Sequence, residues 1–184
     1  MLQGEKTSLR AWEQTDLPRW HELSRSVYLM QMGGGDWYPE PLARLEYWFK
    51  KSLEKGADDE FAIMADGKLI GGVGLHHSDR RSGTTSFGIG IYDEAYVGRG
   101  YGSDALRVFL TWVFETQNWR RLWLTTWSTN QRAYRAYQKL GFVEEGRCPE
   151  EVYCDGAYVD EVIMGLLREE WQARRSRGVS HVKG

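Results

Sequence analysis

Cysteine is almost missing from this chain of 184 residues. The two present, Cys148 and Cys154, form neither a Cys-x-x-Cys pair nor a metal-ligand array, so no metal site is expected. A reduced, cytoplasmic protein is the expectation instead. Long apolar runs are missing too. No stretch approaches the roughly 18 residues of a membrane span, and the N-terminus lacks the apolar segment of a signal peptide. Nor is there a basic excess: the formal net charge is −2 and the pI about 6.1. The balance gives no argument for nucleic acid, and no block of like charge marks a binding tail. Internal repeats, low-complexity segments and linkers are also lacking. Residues 1–170 therefore read as one domain, followed by a charged tail over 171–184.

The chain otherwise has the composition of an ordinary soluble globule, with 41% hydrophobic and 27% charged residues. Nine Trp and ten Tyr suit a bulky core or an aromatic-lined groove. Polar–apolar alternation over residues 7–12 predicts a first strand. Asp16 and Pro18 are placed to open a helix running through Trp20, Leu23 and Val27. A loop with three consecutive glycines and several aromatics, Met30–Pro41, follows, and such loops commonly carry substrate recognition. Leu42, Leu45, Trp48, Phe49 and Leu53 then form the stripe of a second helix over 41–55. Strands are expected at 61–65, 68–75, 84–92 and 122–127, the first two joined by an Asp66-Gly67 turn. Helices follow the third and fourth of these strands. A hairpin from Glu151 to Leu167 turns at Asp155-Gly156. The order predicts a mixed α/β layer with helices on both faces of one sheet.

Two stretches carry chemistry. The first is Val97-Gly98-Arg99-Gly100-Tyr101-Gly102-Ser103, which leads into a helix marked by Ala105, Leu106, Phe109 and Leu110. The first-turn N–H groups of a helix have no intrahelical partner, and its dipole adds positive charge there. A glycine loop feeding them is a candidate cradle for a phosphate or pyrophosphate. It is equally readable as a plain strand-to-helix turn. No Gly-Lys-Ser/Thr follows, so it is not a Walker A loop, and its G-x-G-x-G spacing is a poor dinucleotide fingerprint. The second stretch is Asn130 to Phe142. Asn130 caps a helix, Gly141 stops it, and Tyr137 lies seven residues on, on the face of Asn130 with small Ala133 between. One face thus offers an amide, a gap and a phenol, or simply a capped amphipathic helix with a half-buried tyrosine.

Together the two stretches resemble the GNAT acetyltransferase superfamily. Its phosphate motif matches Val97–Gly102, and its later signature matches Asn130, Tyr137 and Leu140-Gly141-Phe142. The resemblance spans residues 7 to 168 and is nearest the branch of ribosomal-protein N-terminal and spermidine acetyltransferases. It implies a mostly antiparallel mixed sheet with a splayed strand pair, and acetyl-CoA as acetyl donor. By the same resemblance, the backbone of Val97, Gly98, Arg99, Gly100, Tyr101, Gly102 and Ser103 holds pyrophosphate. Ile91 or Tyr92 offers an N–H to the oxyanion. Asn130 and Ala133 line the pantetheine arm, and Tyr137 is the general acid, with Tyr134 the competing phenol. The acceptor is a primary amine, a protein N-terminus or a small amine. The alternatives are a polyamine or aminoglycoside acetyltransferase, or a non-catalytic acyl-CoA-binding module. The terminal strands offer a surface for a homodimer. Two positions depart from the family. Val97 stands where Gln or Arg is usual. Ser86 stands where many relatives carry a basic carboxylate, which leaves Asp93, Glu94, His76 and His77 as candidates for the base.

Overall fold

The computed structural model describes residues 1–32, 38, 40–55 and 59–179. The elements are β1 (Leu2–Gln3), β2 (Ser8–Arg10), α1 (Leu17–Leu23), α2 (Val27–Met32), α3 (Leu42–Lys55), β3 (Glu60–Ala65), β4 (Lys68–Asp79) and β5 (Thr84–Ile91). After these come α4 (Tyr101–Thr111), β6 (Arg121–Trp127), α5 (Gln131–Leu140), β7 (Val143–Cys154), β8 (Ala157–Leu167) and α6 (Arg168–Val179). The strands hydrogen-bond in the order β1-β2-β3-β4-β5-β6-β8-β7. The β1–β2, β2–β3, β3–β4, β6–β8 and β7–β8 pairs are antiparallel, and β5–β6 is parallel. This is the mixed, mostly antiparallel sheet that the sequence leads one to expect.

The chain divides into two compact units, and β4 and β5 contribute residues to both. The first comprises Met1–Leu75 and Gly88–Leu110. Its core is Leu9, Ile63 and Ile70 from the strands with Leu106, Phe109 and Leu110 of α4, all buried. Phe61 packs edge-on against Phe109, with centroids 6.1 Å apart. Asp66 and Gly67 both take positive φ, 50° and 72°, the requirement of a two-residue type I′ hairpin. The second unit comprises His76–Phe87 and the chain from Thr111 onward. Leu122 and Leu124 of β6, Val162, Met164 and Leu166 of β8, and Phe142 form its core. Trp171 of α6 is buried there against Phe114, at 5.2 Å.

Three local departures have identifiable causes. The helix expected from Asp16 through Val27 is broken between α1 and α2 at Ser24–Ser26. Ser24 Oγ donates to His21 O at 2.9 Å, the local side-chain bonding that competes with helix continuation. Asp16 does not cap α1 with its side chain. Its carboxylate faces Arg10, with both contacts at 2.7 Å, and accepts the Glu13 N–H at 2.9 Å. Finally, the hairpin strand expected to begin at Glu151 starts at Val143. Register shifts between Glu144/Gly146 and Cys148/Val152 break the alternation that would have marked it. The glycine-rich stretch of the Met30–Pro41 loop, with Asp36, lies outside the described residues, as do the last five residues of the charged tail.

Asp104, in the first turn of α4, fixes the N-terminal segment. Its buried carboxylate accepts the backbone N–H groups of Glu5 (3.2 Å), Lys6 (2.9 Å) and Thr7 (2.9 Å) and the Thr7 hydroxyl (2.8 Å). Burial pushes its pKa up, but the hydrogen bonds from Lys6, Thr7 and Glu5 outweigh burial and hold it below the usual aspartate value. Asp104→Ala leaves these donors without their acceptor and is expected to cost about 3 kcal/mol in urea unfolding. A depressed folded-state pKa stabilises above the unfolded value of about 3.9 and loses that contribution as pH falls through the lower folded value. The stability gap between wild type and Asp104→Asn should therefore be full at neutral pH and shrink below about pH 4.

Candidate active site

In the first unit, a 3-10 turn at Glu94–Tyr96 is capped by Asp93, whose Oδ1 accepts the Ala95 N–H at 3.0 Å. The chain leaves this turn through Val97, whose φ is −69° and ψ 139°. Gly98 and Gly100 then take φ of 74° and 89°, a region that L side chains rarely occupy. A Cβ on Gly98 would meet nothing within 4 Å, and one on Gly100 only the Lys6 ammonium, at 3.6 Å. At Gly102 a Cβ would stand 3.4 Å from Ile91 Cγ1, an ordinary contact distance. The Asp104 N–H closes the first bond of α4, to Gly100 O at 3.0 Å. Among the described residues, the N–H groups of Gly98, Arg99, Gly100, Tyr101, Gly102 and Ser103 have no acceptor. The loop thus presents a row of donors at the positive end of a helix, which fits an anion with several oxygens.

Two cations lie at this loop, Arg99 and Lys6. Arg99 turns back and donates to Ala95 O at 2.8 Å. Lys6 instead donates its ammonium to Arg99 O at 3.1 Å and lies 5.5 Å over the Tyr101 ring. Its backbone is held by Asp104. Nothing in the linear pattern singles out Lys6, because it is brought to the loop from 93 residues away.

One backbone donor is corrected. The Tyr92 N–H donates to Ile70 O at 2.9 Å, so it is committed to β4 and cannot serve an oxyanion. Successive amides along an extended strand point to opposite edges, which leaves Ile91 as the donor directed away from β4. The Tyr92 ring packs against Trp20, centroids 4.9 Å apart, and Trp20 against Trp12 at 5.3 Å. Burial there raises the Tyr92 phenol pKa.

The second unit holds the other candidates. Asn130 Oδ1 accepts the Ala133 N–H at 3.2 Å, the cap expected for α5. Gly141 ends the helix in the left-handed region at φ 109°. The Phe142 N–H then folds back to Tyr137 O at 3.1 Å. This return places Phe142 against the half-buried Tyr137 ring, centroids 6.0 Å apart, and Phe87 of β5 meets the same ring at 6.0 Å. Tyr134 is otherwise engaged: it donates to Glu144 Oε2 at 2.9 Å and accepts from Gln138 at 3.2 Å. Its bond to Glu144 raises its pKa.

The four base candidates separate. Asp93 is ion-paired with Arg19 at 2.5 Å. Glu94 accepts from Ser26 Oγ at 3.4 Å. The His76 ring is exposed, while its carbonyl accepts from Thr85 and Ser86, both at 3.0 Å. His77 Nδ1 lies 3.0 Å from Ser86 Oγ. Ser86 is thus the residue to which one candidate is bound. Among the described residues, no cluster of three or more His, Cys, Asp or Glu is placed to hold a metal ion. Nor, among them, is any helix long and apolar enough to cross a membrane.

Comparison with known proteins identifies the family. The family model of the acetyltransferase (GNAT) domain matches residues 6–143. A spermidine N(1)-acetyltransferase of Escherichia coli (strain K12) is 27% identical over 94% of this chain and 92% of its own length. The SPbeta prophage-derived uncharacterized N-acetyltransferase YokL of Bacillus subtilis (strain 168) is 27% identical over 92% of this chain and 94% of its own. Among solved structures, spermidine N-acetyltransferase from Vibrio cholerae in complex with CoA and spermine matches with a TM-score of 0.82. That match is 28% identical and covers 91% of this chain and 98% of that one. The glycine loop, the capped helix with its tyrosine and these matches along the whole chain make it a member of the GNAT acetyltransferase family, an N-acetyltransferase that transfers the acetyl group of acetyl-CoA to a primary amine.

Proposed function

We propose that the Gly98–Ser103 amides hold the pyrophosphate of acetyl-CoA, that Tyr137 is the general acid, and that the acceptor is a small polycationic amine of the spermidine type. One observation carries the binding part: the row of N–H donors without acceptors at the start of α4. The Lys6 ammonium, fixed on Arg99 O, adds a charge-assisted contact to phosphate oxygens. Asn130 and Ala133 line the pantetheine arm at the first turn of α5, and the Ile91 N–H faces the developing oxyanion. Acetyl-CoA, when bound, supplies an activated acyl carbon and a thiolate leaving group. The protein's part is to align the amine with that carbon and to protonate the sulfur.

Tyr137 suits the acid role because Phe87 and Phe142 fix its ring, whereas Tyr134 is bonded to Glu144. The polyamine reading is supported by the spermidine acetyltransferases that match over more than nine-tenths of this chain. The net charge of −2 suits a cationic acceptor.

Three measurements test this reading. Gly100→Val, which cannot keep φ near 90° without strain, should weaken CoA binding in calorimetry at least tenfold. Lys6→Gln should weaken it by about threefold to tenfold. Unchanged affinity in both variants contradicts the cradle. Tyr137→Phe should lower kcat by about a hundredfold while the Kd for CoA stays within twofold; full activity removes Tyr137 as the acid. In a thiol-release panel, spermidine and spermine should exceed an N-terminal peptide and an aminoglycoside by about tenfold in kcat/KM, a discrimination of roughly 1.4 kcal/mol. A peptide ahead of the polyamines assigns the acceptor to protein N-termini.

A further inference from the structure

The strand pairing of the second unit fixes which side chains share a face. Residues directly opposite each other in an antiparallel pair point the same way, and successive residues alternate. Trp123, Thr125 and Trp127 of β6 stand opposite Gly165, Ile163 and Glu161 of β8, and Cys148 of β7 stands opposite Glu161 on its other side. The reverse face carries Leu122, Leu124, Val162 and Met164, all buried. The first face is more open: Thr125 is exposed, and Trp123, Trp127, Glu161 and Ile163 are half-buried. One end of it is filled. The His77 ring stacks on Trp123, centroids 5.9 Å apart. Glu145, in the β7 register shift, is paired with Arg121 and covers Gly165, where a Cβ would collide with its carboxylate.

The other end holds a single charge. Along β8, Val159, Glu161 and Ile163 point the same way, so the carboxylate interrupts an apolar row, with Trp127 across from it. The neighbouring Glu144 and Asp160 are paired with Arg147, and Glu145 with Arg121. Glu161 has neither a cation nor a hydrogen-bond donor among the described residues. An unpaired, half-buried carboxylate among apolar neighbours is costly to a fold. The same surroundings suit a cation carried on a methylene chain. The carboxylate takes the charge, the aliphatic and indole side chains take the methylenes, and the indole face adds a cation–π contact. Trp127 also ties this face to the proposed pantetheine arm: its carbonyl accepts the N–H of Asn130 at 2.9 Å.

We propose that Glu161, with Trp127 beside it, is the acceptor-specificity site: it holds a second ammonium of an aliphatic polyamine while the first amine reaches the acyl carbon. The inference rests on the polyamine reading above and deepens it, naming the residues that distinguish a polycation from an amine with a single charge. An alkylamine with one nitrogen leaves Glu161 unpaired and gains nothing from it. Glu161 and Trp127 touch the part of the acceptor that does not react, so their contribution falls on acceptor binding rather than on the chemical step.

The test compares spermidine with butylamine in thiol release, and follows spermidine binding separately by calorimetry without acetyl-CoA. Glu161→Gln should lower the spermidine-to-butylamine ratio of kcat/KM about tenfold, chiefly through a higher KM for spermidine. The KM for acetyl-CoA should stay within about twofold of wild type. Glu161→Asp, which keeps the charge, should restore most of the ratio. Trp127→Leu should raise the KM for spermidine about threefold. In calorimetry the Kd for spermidine should rise about tenfold in Glu161→Gln. An unchanged ratio and an unchanged spermidine Kd in that variant overturn the proposal, as does an equal loss on both amines. Wild-type protein that binds spermidine through Glu161 but releases no thiol with it contradicts polyamine acetylation and leaves the binding site standing. Turnover of spermidine that is indifferent to Glu161 does the reverse.

Discussion

A backbone N–H without an acceptor is costly to bury and cheap to offer to an anion. Six successive donors in that state, from Gly98 to Ser103, are the constraint around which the first unit is arranged. Two glycines at positive φ aim them. Asp104, one residue beyond, accepts four hydrogen bonds from residues 5–7 and so ties the N-terminal segment to the same turn. That tie delivers the Lys6 ammonium to Arg99 O. A carboxylate in the first turn of a helix also sits favourably in the helix dipole. The same few residues thus stabilise the fold and shape the glycine loop proposed as the cradle.

The second unit holds the Tyr137 ring in a fixed pose. Gly141 turns the chain so that Phe142 returns to the helix it has just left, and Tyr137 is held between Phe142 and Phe87. On the neighbouring β5 residue, Ser86 Oγ lies 3.0 Å from Nδ1 of His77, a residue of β4.

What was legible in the sequence was local. The glycine spacing, the Asn130 cap, the Gly141 stop and both type I′ hairpins depend on φ requirements and short-range hydrogen bonds that residue types announce. The succession of strands and helices was legible too, but not the sheet order, in which β8 rather than β7 lies beside β6. What was not legible was long-range or irregular. Lys6 reaches the glycine loop across 93 residues, and His77 reaches Ser86 across nine. The Tyr92 N–H could be struck from the site only once its partner, Ile70, was known. The start of β7 was hidden because two register shifts scramble its alternation. Arg99, a cation within the loop itself, turns back to Ala95 O, which only the structure shows.

The central claim is that open amides at the foot of α4 grip phosphate. It is tested most directly by following the backbone amide resonances of residues 98–103 while CoA is titrated into the nitrogen-labelled protein. Downfield proton shifts concentrated on Gly98, Gly100, Gly102 and Ser103, saturating with the same Kd that calorimetry gives, are the predicted result. Saturating CoA that leaves these resonances where they were, and shifts others, would contradict the account.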